Sequence, residues 1–147
     1  MSTDSSPAAS AVHELILPAE AAWLATVADF LCSCCAGWQI DEDAQFEIQL
    51  AVDEAATNVI THAYAGQPGR IHLRCWVADG DFHIELIDQG RTFDPETVPP
   101  PDLTGPLDTR REGGLGMHFM RQMMDEIDFV FSPTGNRLHM IKRGVAS

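Results

Sequence analysis

Three short stretches of the chain carry side chains of the kind that do chemistry. In the first, Glu54, Asn58 and His62 recur at i, i+4 and i+8, which puts a carboxylate, an amide and an imidazole on one side of a helix. In the second, Leu86-Ile87-Asp88-Gln89-Gly90 ends an apolar run on an acid and then a glycine, which permits close backbone approach. The third, Glu112-Gly113-Gly114-Leu115-Gly116, lets backbone N–H groups converge on an anion at a helix start, where the partial positive charge favours phosphate. Arg110 and Arg111, the only adjacent arginines, precede it. Each stretch alone has a plainer reading: a solvated helix edge, a turn-forming acid, a loop hinge, ordinary loop charge. Their combination is the specific signal.

These residues need elements to hold them. Val12 to Leu17 alternates weakly and stops at Pro18, which predicts a strand after a disordered tail over residues 1–11. Ala19 to Ala36 reads as a helix, with Trp23, Val27, Phe30, Leu31 and Cys34 at helical spacing and Gly37 as its stop. A second helix opens at Asp41, an N-cap residue followed by acids, and runs to about Tyr64. Its apolar stripe is Val52, Ala55, Val59 and Ala63, turned toward a sheet. From Arg70 the period drops to two. Ile71, Leu73, Cys75 and Val77, then Phe82, Ile84 and Leu86, flank an Asp79-Gly80-Asp81 turn and predict a β-hairpin. Residues 89–112 hold five of the nine prolines and no periodicity, as a long lid would. A third helix is expected from Leu115 to Asp125, with Met117, Met120, Met123 and Met124 for packing. Strands over Ile127–Phe131 and Arg137–Lys142 flank the turn Pro133-Thr134-Gly135-Asn136. The order predicts an α+β fold: a two-layer α/β sandwich with helices on one face of a mostly antiparallel sheet, as one domain over residues 12–147.

Composition narrows the function. The 147 residues carry nine Lys and Arg against 22 Asp and Glu, a net charge of −13. Residues 1–69 hold ten of the acids and no Lys or Arg. Phosphate-backbone binding needs cations, so nucleic acid is excluded as a direct partner. The polar first ten residues lack an export signal, and no apolar run is long enough to span a bilayer, which predicts a cytoplasmic protein with no membrane attachment. Cys32, Cys34, Cys35 and Cys75 lack zinc-site spacing and read as small buried hydrophobes. His13, His72, His83, His118 and His139 show no ligand spacing among themselves.

Taken in order, Glu54-Ala-Ala-Thr-Asn58, Asp88-Gln-Gly90 and Gly113-Gly-Leu-Gly116 resemble the N, G1 and G2 boxes of the Bergerat (GHKL) ATP-binding fold. Asp53-Glu54-Ala55, Asn58 to Tyr64, Arg111 to Met117, Met124-Asp-Glu126 and Lys142-Arg143 are similar to the anti-sigma factor serine/threonine kinases of bacterial partner-switching systems. That resemblance implies ATP and Mg²⁺ as cofactors. It implies that Asp88 accepts the adenine amine, with Gly90 letting the base lie against the backbone, and that Asn58 binds Mg²⁺. Gly113, Gly114, Leu115 and Gly116 would meet the phosphates, helped by Arg111. Glu54 would be the catalytic carboxylate, acting as base or orienter of the nucleophile. The implied partners are a sigma factor and an anti-sigma-factor antagonist carrying the phosphorylated serine or threonine; a homodimer is possible. The other reading is a nucleotide-gated protein-binding module without phosphotransfer.

Overall fold

The computed structural model describes residues 11–92 and 120–146. Residues 1–10 of the predicted tail, residues 93–112 of the predicted lid, the start of the third helix, and Arg110, Arg111 and Gly113 to Gly116 lie outside the described residues.

Five strands form one sheet, β1 (His13–Pro18), β2 (Arg70–Ala78), β3 (Asp81–Asp88), β4 (Glu126–Ser132) and β5 (Gly135–Lys142). Their spatial order is β1-β2-β3-β5-β4, and every neighbouring pair among the described residues is antiparallel, as the expected α+β sandwich requires. Two helices cover one face: α1 (Leu24–Gly37), entered through a 3₁₀ turn over Ala21–Trp23, and α2 (Glu42–Asn58). Among the described residues no helix is long and apolar enough to cross a membrane.

Local chemistry explains the elements. Asp41 accepts a hydrogen bond from the Ala44 N–H at 2.9 Å, closing the first turn of α2, and Glu42 and Asp43 sit against its positive end. The β2–β3 hairpin turns on Asp79 and Gly80 with φ of 54° and 81°, the paired left-handed conformations of a type I′ turn. Strand periodicity sends Ile71, Leu73 and Cys75, Phe82, Ile84 and Leu86, and Leu138 and Met140 toward the helices. There they meet Leu31 and Cys35 of α1 and Ile48, Val52 and Ala55 of α2. Dense packing of this kind is the main source of stability in a domain this small.

The structure corrects three expectations. The first helix starts at Leu24 rather than Ala19, so Trp23, expected at helical spacing with Val27 and Leu31, lies in the 3₁₀ turn before it and is 41% exposed. Cys32 is exposed while Cys34, Cys35 and Cys75 are buried. The second helix is not α-helical to Tyr64: it ends at Asn58 and continues as a π turn over Val59–Ala63, with the Tyr64 N–H bonded to the Val59 carbonyl at 2.9 Å. Residues 120–123 are helical, and Met120 and Met124 enter the core as the methionine spacing predicts.

Candidate nucleotide site

Two periodicities converge on the site. Along β3 every second side chain faces the helices, so the phase that buries Phe82, Ile84 and Leu86 also drives Asp88 inward, where it is 4% exposed. Along α2, Ile48, Ala51 and Ala55 lead at helical spacing to Asn58, which ends the buried face rather than standing beside it. Asn58 and Asp88 thus meet at one end of the interlayer space. They line a small cavity of about 10 Å³, about the room of one water. Ala55, Val59, Met120 and Leu138 supply apolar walls, and Phe129 and Phe131, stacked at 5.7 Å and 6°, supply a flat aromatic one.

A buried carboxylate must be hydrogen-bonded. Asp88 Oδ1 accepts from the Gly90 N–H at 2.8 Å and from Asn136 Nδ2 at 2.9 Å. Asn136, directly opposite Asp88 on β5, also donates through Nδ2 to the Gly90 and Arg91 carbonyls at 3.1 and 3.2 Å. That amide nitrogen is fixed by three oxygens. The Asn136 Oδ1 atom is buried and has no hydrogen-bond partner among the described residues. Burial pushes the Asp88 carboxyl above its ordinary value, and the Asn136 and Gly90 bonds pull it partly back.

The π turn ties the two halves together. The last carbonyls of a helix have no partner within it; here the Ala63 carbonyl accepts from the Arg91 N–H at 2.8 Å and the His62 carbonyl from Arg91 Nε at 2.9 Å. Gly90 is required at this junction. A Cβ there would lie 2.6 Å from the Ala63 carbonyl carbon and oxygen, so its missing side chain makes room for the π turn. Tyr64, the chain's single tyrosine, bridges the next layer, donating to the Arg70 carbonyl at 2.6 Å and accepting from the Gln89 N–H at 2.8 Å.

Asn58, Asp88 and Gly90 are therefore brought together. Glu54 is half-buried one turn before Asn58 and is not among the cavity-lining residues, and His62 is half-buried beyond the phase slip of the π turn. Asn136 and Tyr64, which hydrogen-bond at this junction, are not among the residues the sequence singled out for the site. Asn136 reads as a turn residue after Gly135, and only the β3–β5 register reveals its partner.

The donor set can be tested against the groups implied by the motifs. An orphaned acceptor on Asn136 beside a carboxylate with one oxygen already saturated suits a ligand that presents N–H donors from a flat ring, as adenine does. Asn58 offers one hard oxygen, and no group of three or more His, Cys, Asp or Glu is arranged to hold a metal ion among the described residues. A single protein oxygen suits Mg²⁺, which keeps waters and takes phosphates, and would not hold zinc.

The family of the histidine kinase-like ATPase domain matches residues 17–142. The serine-protein kinase RsbW of Staphylococcus epidermidis is 32% identical over 135 residues, 88% of this chain and 84% of that one. The anti-sigma F factor of Caldanaerobacter subterraneus subsp. tengcongensis is 37% identical over 98 residues, 65% of this chain and 68% of that one. Among solved structures, the RsbU and RsbW domains of Rv1364c from Mycobacterium tuberculosis superpose with a TM-score of 0.67 at 19% identity, covering 91% of this chain and 32% of that one, and so share the fold. The chain belongs to the histidine kinase-like ATPase family, and within it to the branch that holds the serine-protein kinase RsbW and the anti-sigma F factor.

Proposed function

We propose that the protein is an ATP-dependent anti-sigma factor and serine/threonine kinase of a partner-switching system. The observation that carries this is the Asp88–Asn136–Asn58 cavity in a chain whose relatives are named anti-sigma F factor and serine-protein kinase. When bound, Mg·ATP supplies the transferable phosphoryl group and a cation to offset its charge. Asp88 Oδ2 accepts an amine hydrogen of the base, which disfavours guanine because a carbonyl there would face a carboxylate. Asn58 gives the metal an amide oxygen. Glu54, one helical turn earlier, takes the proton of an incoming serine or threonine hydroxyl. Gly113 to Gly116, with Arg111, supply donors to the phosphates. The chain binds a sigma factor and phosphorylates an antagonist protein, and a homodimer of these chains is part of the proposal.

The assay is label transfer from γ-labelled ATP to an antagonist, with Glu54→Gln as the comparison. Loss of transfer with ATP affinity kept supports the role of Glu54; undiminished transfer removes it. Because Glu54 does not line the cavity, a second reading is a nucleotide-gated binding module without transfer. ATP-dependent sigma-factor capture with no labelled partner would favour that reading.

A further inference from the structure

The face of the sheet turned away from the helices carries a pair of histidines that nothing in the nucleotide site uses. His83 lies on β3 and His139 on β5, and the register sets His139 opposite Glu85 and His83 opposite Ile141. The two histidines are thus diagonal neighbours on one face. Histidine spacing along the chain gives no hint of this, since 56 residues separate them.

Nδ1 of His83 and Nε2 of His139 are 3.0 Å apart, with ring centroids at 5.2 Å. Trp76 of β2, directly opposite His83, stacks on it at 5.1 Å and 10° and leans on His139 at 5.6 Å. The indole walls one side, and both imidazoles remain half-buried, open to solvent on the other. Two ring nitrogens that face each other have two ways to share the gap: one proton, or one metal ion. Metal–imidazole bonds of about 2.0–2.1 Å that meet at about 90–95° span about 3.0 Å, the angle of tetragonal Cu(II) and Ni(II) sites.

We propose that His83 and His139 chelate one late first-row divalent ion on the outer sheet face, with water in the remaining positions. The nearby carboxylates are paired with arginines and do not join the site. Glu85 is engaged by Arg74 at 3.0 Å and Arg137 at 3.6 Å, and Asp81 by Arg143 at 3.2 Å. Imidazole ligation follows the order in which Cu(II) binds tightest among these ions. The chelate would staple β3 to β5, the two strands that carry Asp88 and Asn136. Binding only to the folded chain raises its melting temperature by mass action.

The test uses the full chain and the metal alone. Cu(II) is followed by quenching of tryptophan fluorescence, Ni(II) and Zn(II) by calorimetry, and each by thermal melting. The wild type is expected to bind one ion per chain, with a saturable quench and a raised melting temperature. Both signals are lost in His83→Asn and in His139→Asn, while Trp76→Phe keeps the calorimetric binding and loses most of the quench. ATP affinity and circular dichroism of the histidine variants serve as folding controls. No saturable binding by the wild type, or binding that survives both histidine substitutions, overturns the proposal.

Discussion

Replacing Asp88 by Asn separates what this residue does for the ligand from what it does for the fold. The substitution keeps shape but exchanges one oxygen for an NH₂ group. In principle the new amide has two orientations, and the structure permits one. Its oxygen must stay where Oδ1 is, because the Gly90 N–H and Asn136 Nδ2 both donate to that point. Asn136 cannot turn over to help, since its Nδ2 also serves the Gly90 and Arg91 carbonyls. The NH₂ group therefore replaces Oδ2 and meets the amine of the base donor to donor. Losing a hydrogen bond to a charged acceptor removes about 1.5–3 kcal/mol, and the unsatisfied donor adds about 1–3 kcal/mol. A combined loss of about 3–5 kcal/mol weakens ATP binding by between two and four powers of ten. Stability should move the other way. Burial holds the Asp88 carboxyl above its ordinary value, so the folded chain keeps a proton that the unfolded chain has released. Wild-type stability then falls as pH rises through that window, and the loss persists at neutral pH. Asp88→Asn escapes it. Its ligand-free melting temperature at pH 7 should equal or exceed the wild type's, and the difference should close as pH falls below the ordinary carboxyl value of 3.8. Calorimetric titration with ATP and melting curves across pH measure both. Unchanged ATP affinity refutes the base-binding role; a large drop in melting temperature at pH 7 refutes the burial argument.

Gly90→Ala places a Cβ 2.6 Å from Ala63 backbone atoms and should destabilise the chain by about 1–3 kcal/mol and weaken ATP binding, whereas Gly37→Ala, whose Cβ meets nothing within 4 Å, should do neither in the same melts. Tyr64→Phe leaves the Gln89 N–H and the Arg70 carbonyl without their shared hydroxyl; denaturant titration should show a loss of about 1–3 kcal/mol with a smaller effect on ATP affinity than Asp88→Asn. A thiol reagent at pH 8 should label one cysteine quickly. Cys32 is exposed, while burial raises the Cys34 and Cys75 thiols and, with its neighbours Cys34 and Cys32, pushes Cys35 up to about 12. Four fast thiols would contradict the buried α1–β2 packing.

The sequence by itself determined the layers and the acids at their ends. Period-two burial in β2 and β3, the Asp79-Gly80 turn and the Asp41 cap act over a few neighbouring residues, and each forms as local chemistry dictates. The same periodicity that buries Leu86 fixes the side to which Asp88 points. Tertiary structure alone decided the partners. Asn136 clamps Asp88 across 48 residues, and His83 meets His139 across 56, because the β3–β5 register joins strands whose order no local pattern records. The π turn after Asn58 was equally hidden: the His62 and Ala63 carbonyls at its end accept hydrogen bonds from Arg91, and a glycine at position 90 lets that residue come close. Propensity acts over a few residues, whereas these contacts are fixed by which surfaces must be buried together.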